Sequence, residues 1–159
     1  VGDLPKPKKL SITDIVKQKG LIVDSREAEF FMDGHLEGAL LATFDKNFNT
    51  IVGSYADAEQ DIYLIIEESH LDEAVRDLLR VGIDNIKGYA TPQMLSNWDQ
   101  DLATVEVINF DGVEELRKDE GTQVLDVRKA TEYAEGHIPG AINIAHTRLA
   151  DHLDELPTR

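Results

Sequence analysis

Ile62-Tyr63-Leu64-Ile65-Ile66-Glu67-Glu68-Ser69-His70-Leu71-Asp72 is the stretch on which the fold turns, and it runs on as Glu73-Ala74-Val75-Arg76-Asp77-Leu78-Leu79-Arg80-Val81 to Gly82. Five consecutive apolar residues without polar alternation predict a strand buried on both faces, the pattern of a central parallel strand. From Asp72 the apolar residues Ala74, Val75, Leu78 and Leu79 recur at helical spacing, and Gly82 stands where a helix would stop. In open α/β sheets, ligands bind beyond the carboxyl ends of such strands, where backbone N–H groups at the next helix start can hold an anion. Here that loop is Glu67-Glu68-Ser69-His70-Leu71-Asp72, with three carboxylates and neither cysteine nor glycine. Negative side chains in an anion cradle oppose its electrostatics, so the expectation is a scaffold kept and a chemistry lost.

Outward from this centre, the order of elements repeats as strand then helix. Residues 1–10 hold Pro5, Lys6, Pro7, Lys8 and Lys9 without periodicity and read as a linker to which upstream sequence would attach. Ser11 or Thr13 caps a predicted helix to about Lys19, with Ile12, Ile15 and Val16 on one face and Gly20 as its stop. Leu21–Asp24 reads as a short buried strand, Glu27–Asp33 as one or two helical turns and Gly38–Thr43 as a second strand. Phe44–Ala56 suits an irregular packed segment or a short helix. After the central strand and helix, Asn85–Gly88 gives a further strand and Thr91–Trp98 a terminal helix, with Trp98 pinned to the core. This alternation predicts an α/β fold with a parallel sheet covered on both faces.

Length and composition narrow the function. The 159 residues have room for one large domain or two small ones, and 42% hydrophobic content allows a real core. With 31 acidic against 16 basic residues the formal charge is −15, which repels phosphate backbones and anionic membranes. Nucleic acid and membrane are therefore not expected partners. Cysteine is absent, which removes disulfides, thiolate zinc sites and any thiol nucleophile within these residues. No run approaches a membrane span and no signal segment opens the chain, so a soluble, cytoplasmic protein is expected. Val1 in place of methionine hints at a piece of something longer.

The pattern then begins again. Laying Leu21–Leu40 over Gln123–Ile142 without gaps matches Asp24 with Asp126, Arg26 with Arg128, Ala28 with Ala130, Gly34 with Gly136, His35 with His137, Gly38 with Gly140 and Ala39 with Ala141. Seven identities in twenty positions, with glycines and charges in register, predict a tandem repeat with a polar junction near Trp98–Thr104. By that register the chain stops just before the second copy's counterpart of Ile62–Ile66.

Asp126-Val127-Arg128, followed by Glu132-Tyr133 and Glu135-Gly136-His137-Ile138-Pro139-Gly140-Ala141-Ile142-Asn143-Ile144, resembles the N-terminal signature of rhodanese-like domains. Asp24-Ser25-Arg26, with Phe30-Phe31 and Asp33-Gly34-His35-Leu36-Glu37-Gly38-Ala39-Leu40, is a weaker version. The resemblance implies a rhodanese-like five-stranded parallel sheet flanked by helices: a first domain over 11–99 and the N-terminal part of a second over 100–159. It also implies a chemistry. Active members carry a cysteine after the central strand, in a loop closing with arginine, and move sulfane sulfur as a persulfide. A persulfide carrier needs a thiolate lowered in pKa by N–H donors and a nearby cation. Mapped onto this chain, the cysteine falls at about Glu67 and the arginine at about Asp72. The family's glycines before the closing helix are replaced by Thr91 and Pro92, while Gly88-Tyr89 and Trp98 are retained.

No catalytic residue, no metal and no cofactor is therefore expected. Glu67 to Asp72 is expected to be a degenerate active-site loop, and Asp24, Arg26, Gly34, His35, Gly38, Asp126, Arg128, Gly136, His137 and Gly140 a structural signature. His146 and His152 are placed on different faces of a helix with Leu149, Leu153 and Leu156, an arrangement that makes no metal site. The expected function is a catalytically inactive module of a sulfur-metabolism protein with a structural or docking role. The alternative is a sulfurtransferase whose cysteine lies in the second copy beyond Arg159; a related phosphatase would need a similar cysteine loop. The proline- and lysine-containing lead-in and Val81-Gly82-Ile83-Asp84-Asn85-Ile86-Lys87-Gly88-Tyr89 resemble the C-terminal part of metallo-β-lactamase-fold proteins fused to two rhodanese domains. Those relatives act on persulfides through a mononuclear iron in the N-terminal domain, which would then be the upstream partner; self-association is left open.

Overall fold

The computed structural model describes residues 4–157, which divide between Glu106 and Val107 into two compact units. In the first, β1 (Lys8–Lys9), β2 (Leu21–Asp24), β3 (Leu40–Leu41), β4 (Ile62–Ile65) and β5 (Ile86–Ala90) form one sheet in the order β1-β5-β4-β2-β3. Every pairing is parallel. β4 sits at the centre, and all four of its residues are buried, as a strand covered on both faces requires. The apolar run is thus the central strand that its pattern implied, and the sheet has the five parallel strands and flanking helices that the resemblance implied.

Alternation along that run separates the two faces. Ile62, Leu64 and Ile66 point into a core shared with Phe48 and Val52 of α3 (Phe48–Tyr55) and with Ala74, Val75 and Leu78 of α4 (Leu71–Arg80). Tyr63 and Ile65 point the other way, against Ile12 and Ile15 of α1 (Ile12–Val16) and Leu95 of α5 (Pro92–Ser96). Period two in a strand and period 3.6 in the helices give one two-sided core. Truncating Leu64 to alanine there would cost about 2–5 kcal/mol. α2 (Ala28–Asp33) follows β2 and buries Phe31.

Several local details depart from the sequence expectations. Lys8–Lys9, expected within the linker, pair with Gly88 and Tyr89 as an edge strand, and Leu10 donates to the Tyr89 carbonyl at 2.8 Å; residues 1–3 of that stretch lie outside the described residues. α1 ends at Val16, which is exposed, rather than near Lys19. Gly20 is not a left-handed helix stop: a Cβ there would stand 2.6 Å from the Asp61 carbonyl oxygen, so the residue is needed for the close approach of the chain to β4. Gly82 does end α4 at φ +82°, and Gly38 turns the chain into β3 at φ +81°. The β3 strand is confined to Leu40–Leu41, and Phe44–Ala56 contains the eight-residue α3. Within the polar junction, Ala103 exchanges two backbone hydrogen bonds with His35, and the first unit runs on to Glu106.

The second unit contains α6 (Phe110–Leu116), β6 (Leu125–Asp126), α7 (Ala130–Glu135) and β7 (Ile142–Asn143), with β6 parallel to β7. Leu149–Glu155 is 3₁₀ rather than α-helical and is broken at His152, whose Nδ1 contacts Glu155 Oε2. His146 donates its backbone N–H to Val127. The two histidines therefore do not share a regular helix.

Candidate functional site

The carboxyl ends of β2, β4 and β5 converge on a cleft of about 380 Å³ bordered by Ser25, Arg26 and Glu27, by Glu67 and His70, and by Pro92 and Gln93. Phe30 and Phe44 supply its apolar walls. This is the place where a doubly covered parallel sheet offers a ligand site.

On the β2 side, Asp24 is 1% exposed and would be an uncompensated charge without its partner. Arg26 supplies one: its Nε donates to Oδ1 at 3.0 Å and its Nη2 to Oδ2 at 2.8 Å, and Nη2 also donates to the Gly34 carbonyl at 2.8 Å. Aspartate and arginine two residues apart thereby tie the strand end to the end of α2. Ser25 donates its hydroxyl to the Ile65 carbonyl at 2.7 Å, joining β2 to β4. His35 stacks on Phe31 with centroids 3.8 Å apart and places Nδ1 2.8 Å from the Phe31 carbonyl oxygen, a contact that puts the proton on Nδ1. These side chains brace a loop.

The β4 side is shorter than the sequence implied. Glu67 is extended, Glu68–His70 form a 3₁₀ turn, and α4 begins at Leu71, so Asp72 lies within the helix. Glu67, the position mapped to the family's cysteine, lines the cleft, and Gln93 Nε2 stands 3.5 Å from its Oε1. Glu68 faces β1 and β5: Lys9 Nζ approaches its Oε1 at 2.5 Å, and the Tyr89 hydroxyl donates to it at 3.2 Å. The hydrogen bond from Lys9 holds the Glu68 carboxyl below the ordinary glutamate value, and that bond raises the Lys9 ammonium. Tyr89 is pushed up, first by burial and then by Glu68. His70 stacks on Phe44 with centroids 4.7 Å apart. Asp72 joins Glu73 in the first turn of α4, where negative charge is favourable to the helix dipole.

Lys9, Phe44, Tyr89 and Gln93 were not among the candidate residues read from sequence. A lysine in a proline-containing stretch and a phenylalanine before a short helix carry no local signal of a site; both acquire roles through contacts across the sheet. Among the described residues no cluster of three or more His, Cys, Asp or Glu side chains could hold a metal ion, and no helix is long and apolar enough to cross a membrane.

In the second unit Arg128 Nε and Nη2 grip Asp126 at 3.0 and 2.7 Å, and Nη2 donates to the Gly136 carbonyl at 2.8 Å. The bond from Arg128 lowers the Asp126 carboxyl and raises the guanidinium. His137 stacks on Tyr133 at 3.6 Å with Nδ1 2.8 Å from the Tyr133 carbonyl oxygen. Gly140, like Gly38, has a positive φ. The aspartate, arginine, glycine and histidine of the signature thus make the same hydrogen bonds in each unit.

Residues 110–159 match the rhodanese-like domain family, and the five-stranded parallel sheet with its flanking helices is consistent with that fold. Among individual proteins, the chain is 39% identical over 97 residues to HTH-type transcriptional regulator Rv0324 of Mycobacterium tuberculosis, covering 53% of this chain and 42% of that protein. A metallo-beta-lactamase from Staphylococcus aureus subsp. aureus COL is 30% identical over 58% of this chain and 26% of its own, with a TM-score of 0.49. An EanB variant in complex with hercynine aligns over 91% of this chain and 42% of its own at 18% identity and a TM-score of 0.50, a likeness of fold alone. The chain thus spans well under half the length of each of these relatives.

Proposed function

We propose that the first unit is a rhodanese-like domain without sulfurtransferase chemistry, a docking or scaffolding module in a sulfur-metabolism protein, followed by the beginning of a second, tandem copy. The observation that carries this reading is the exit of β4. Where a persulfide carrier needs a thiolate among converging N–H donors, this chain has Glu67 leading directly into a 3₁₀ turn, with no residue of positive φ between Glu67 and Asp72. No cysteine exists in the 159 residues to replace it. The lead-in and the Val81–Tyr89 stretch support a place after a metallo-β-lactamase-fold domain in the parent protein. Incubation of this chain with thiosulfate and cyanide should give no thiocyanate above buffer; metal-independent turnover would overturn the reading.

A second reading, sulfur transfer by a cysteine in the remainder of the second copy, is supported by one observation: the match to the rhodanese-like domain family falls on residues 110–159, in the second unit. The coding sequence of the parent protein decides it, since a second copy without a C-x-x-G-x-R loop would have no nucleophile.

A further inference from the structure

The cleft of the first unit has lost the sign of an anion site as well as its nucleophile. Arg26 is the permanent cation on its wall, and its guanidinium is engaged by Asp24 and the Gly34 carbonyl. The positive end of α4 is answered by Asp72 and Glu73 in its first turn. Glu27 and Glu67 remain as charges facing the cleft. Gln93 is the polar neighbour of Glu67, at a distance long enough for the carboxylate to turn to a stronger donor. Beside these carboxylates stand two phenyl rings. Phe44 stacks on His70 and meets Phe48 edge-on, whereas Phe30 is 54% exposed on a helix whose other phenylalanine is buried. Carboxylates beside aromatic faces are the chemistry that holds organic cations, through charge-assisted bonds and attraction to the ring quadrupole. The chain's charge of −15 raises the local concentration of such ligands further.

We propose that this cleft binds a small organic ammonium ion, its charge on Glu67 and its alkyl groups against Phe30 and Phe44. A cleft of about 380 Å³ suits a ligand of that size. The inference rests on the reading of the cleft as one without sulfur chemistry, and the two fail separately: thiocyanate formation tests that reading, and the titration below tests the ligand.

Butylammonium and tetramethylammonium chlorides are titrated into the full 159-residue chain and followed by amide ¹H–¹⁵N spectra, with sodium chloride at equal ionic strength and sodium butyrate as controls. Saturable shifts at residues 25–30, 67–70 and 93–96 are expected from at least one ammonium salt and from neither control. Glu67→Gln and Phe30→Ala should each weaken binding roughly fivefold or more. Both positions lie at the cleft wall, and retained spectral dispersion shows that the variants fold. Equal shifts from butyrate, shifts spread over the whole surface, no saturation below roughly 50 mM, or unchanged affinity in Glu67→Gln would each overturn the proposal.

Discussion

Arg26 holds both carboxylate oxygens of Asp24 and reaches past them to the Gly34 carbonyl. Three segments thereby share one guanidinium: the end of β2, the turn after it and the end of α2. Because Asp24 is almost wholly buried, replacing Arg26 with alanine strands a carboxylate rather than merely deleting a bond. The expected loss is about 3–5 kcal/mol, read from urea unfolding followed by circular dichroism. Arg128→Ala, at a more exposed counterpart, should cost clearly less. Equal losses would mean that burial is not what sets the cost.

The Lys9–Glu68–Tyr89 cluster gives the edge strand a pH dependence. Glu68 has a lowered folded pKa, so its contribution is present above the unfolded value of 4.5 and is lost as pH falls through the lower folded value. Lys9 and Tyr89 have raised folded values; their contributions are complete below 10.5 and 10.0 respectively and are lost as pH rises through the folded values. Hydrogen exchange at the Leu10 amide, which is bonded to the Tyr89 carbonyl, should therefore report loosening of β1 below pH 4.5 before β4 loses protection. Glu68→Gln should abolish the acidic step. Persistence of that step in the variant would assign it to other carboxylates.

Two glycines should resist substitution for different reasons. At Gly20 an added Cβ meets the Asp61 carbonyl oxygen at 2.6 Å and the Tyr63 ring at 2.9 Å, so Gly20→Ala should cost about 1–3 kcal/mol through displaced backbone. Gly38 has open space but a φ of +81°, so Gly38→Ala should cost about 1–2 kcal/mol through conformation alone. Thermal unfolding measures both. Replacing Gly38 with asparagine, which tolerates that region, should recover part of the loss, while Gly20→Asn should recover none.

Glu67→Cys combined with Asp72→Arg tests whether the loop is vacant or remodelled. The thiol should titrate at or above the reference of about 8.5, because Ser69, His70 and Leu71 lie in a 3₁₀ turn and the start of α4, and Glu68 remains beside them. The pH dependence of alkylation by iodoacetamide gives the value. A thiol pKa one or more units lower would show that an anion cradle survives at this position.

Much of this was legible before the fold was known. The uninterrupted apolar run Ile62–Ile66 names the central strand because burial on both faces leaves no room for polar alternation. Ala74, Val75 and Leu78 name the buried face of α4, and all three are buried. Asp24 with Arg26, and Asp126 with Arg128, repeat at fixed local spacing, and a local spacing is something a sequence can carry. Val16 misled because helical periodicity assumes that the helix continues, and α1 stops before the next turn could bury it.

What the sequence by itself determined is therefore periodic or local: most of the strands and helices that follow the lead-in, the central strand, the absence of cysteine from these residues and the matched Asp-x-Arg spacings. The tertiary structure decided the rest. A strand of two residues such as Lys8–Lys9 has no pattern of its own and becomes a strand only because β5 offers it unpaired N–H and carbonyl groups. Glu68 points to Lys9 and Tyr89 rather than into the cleft because the 3₁₀ turn rotates it there. Phe44 and Gln93 join Glu67 at the same opening only because the sheet brings their three segments together. Such contacts arise from chain closure over long separations, which no local spacing encodes.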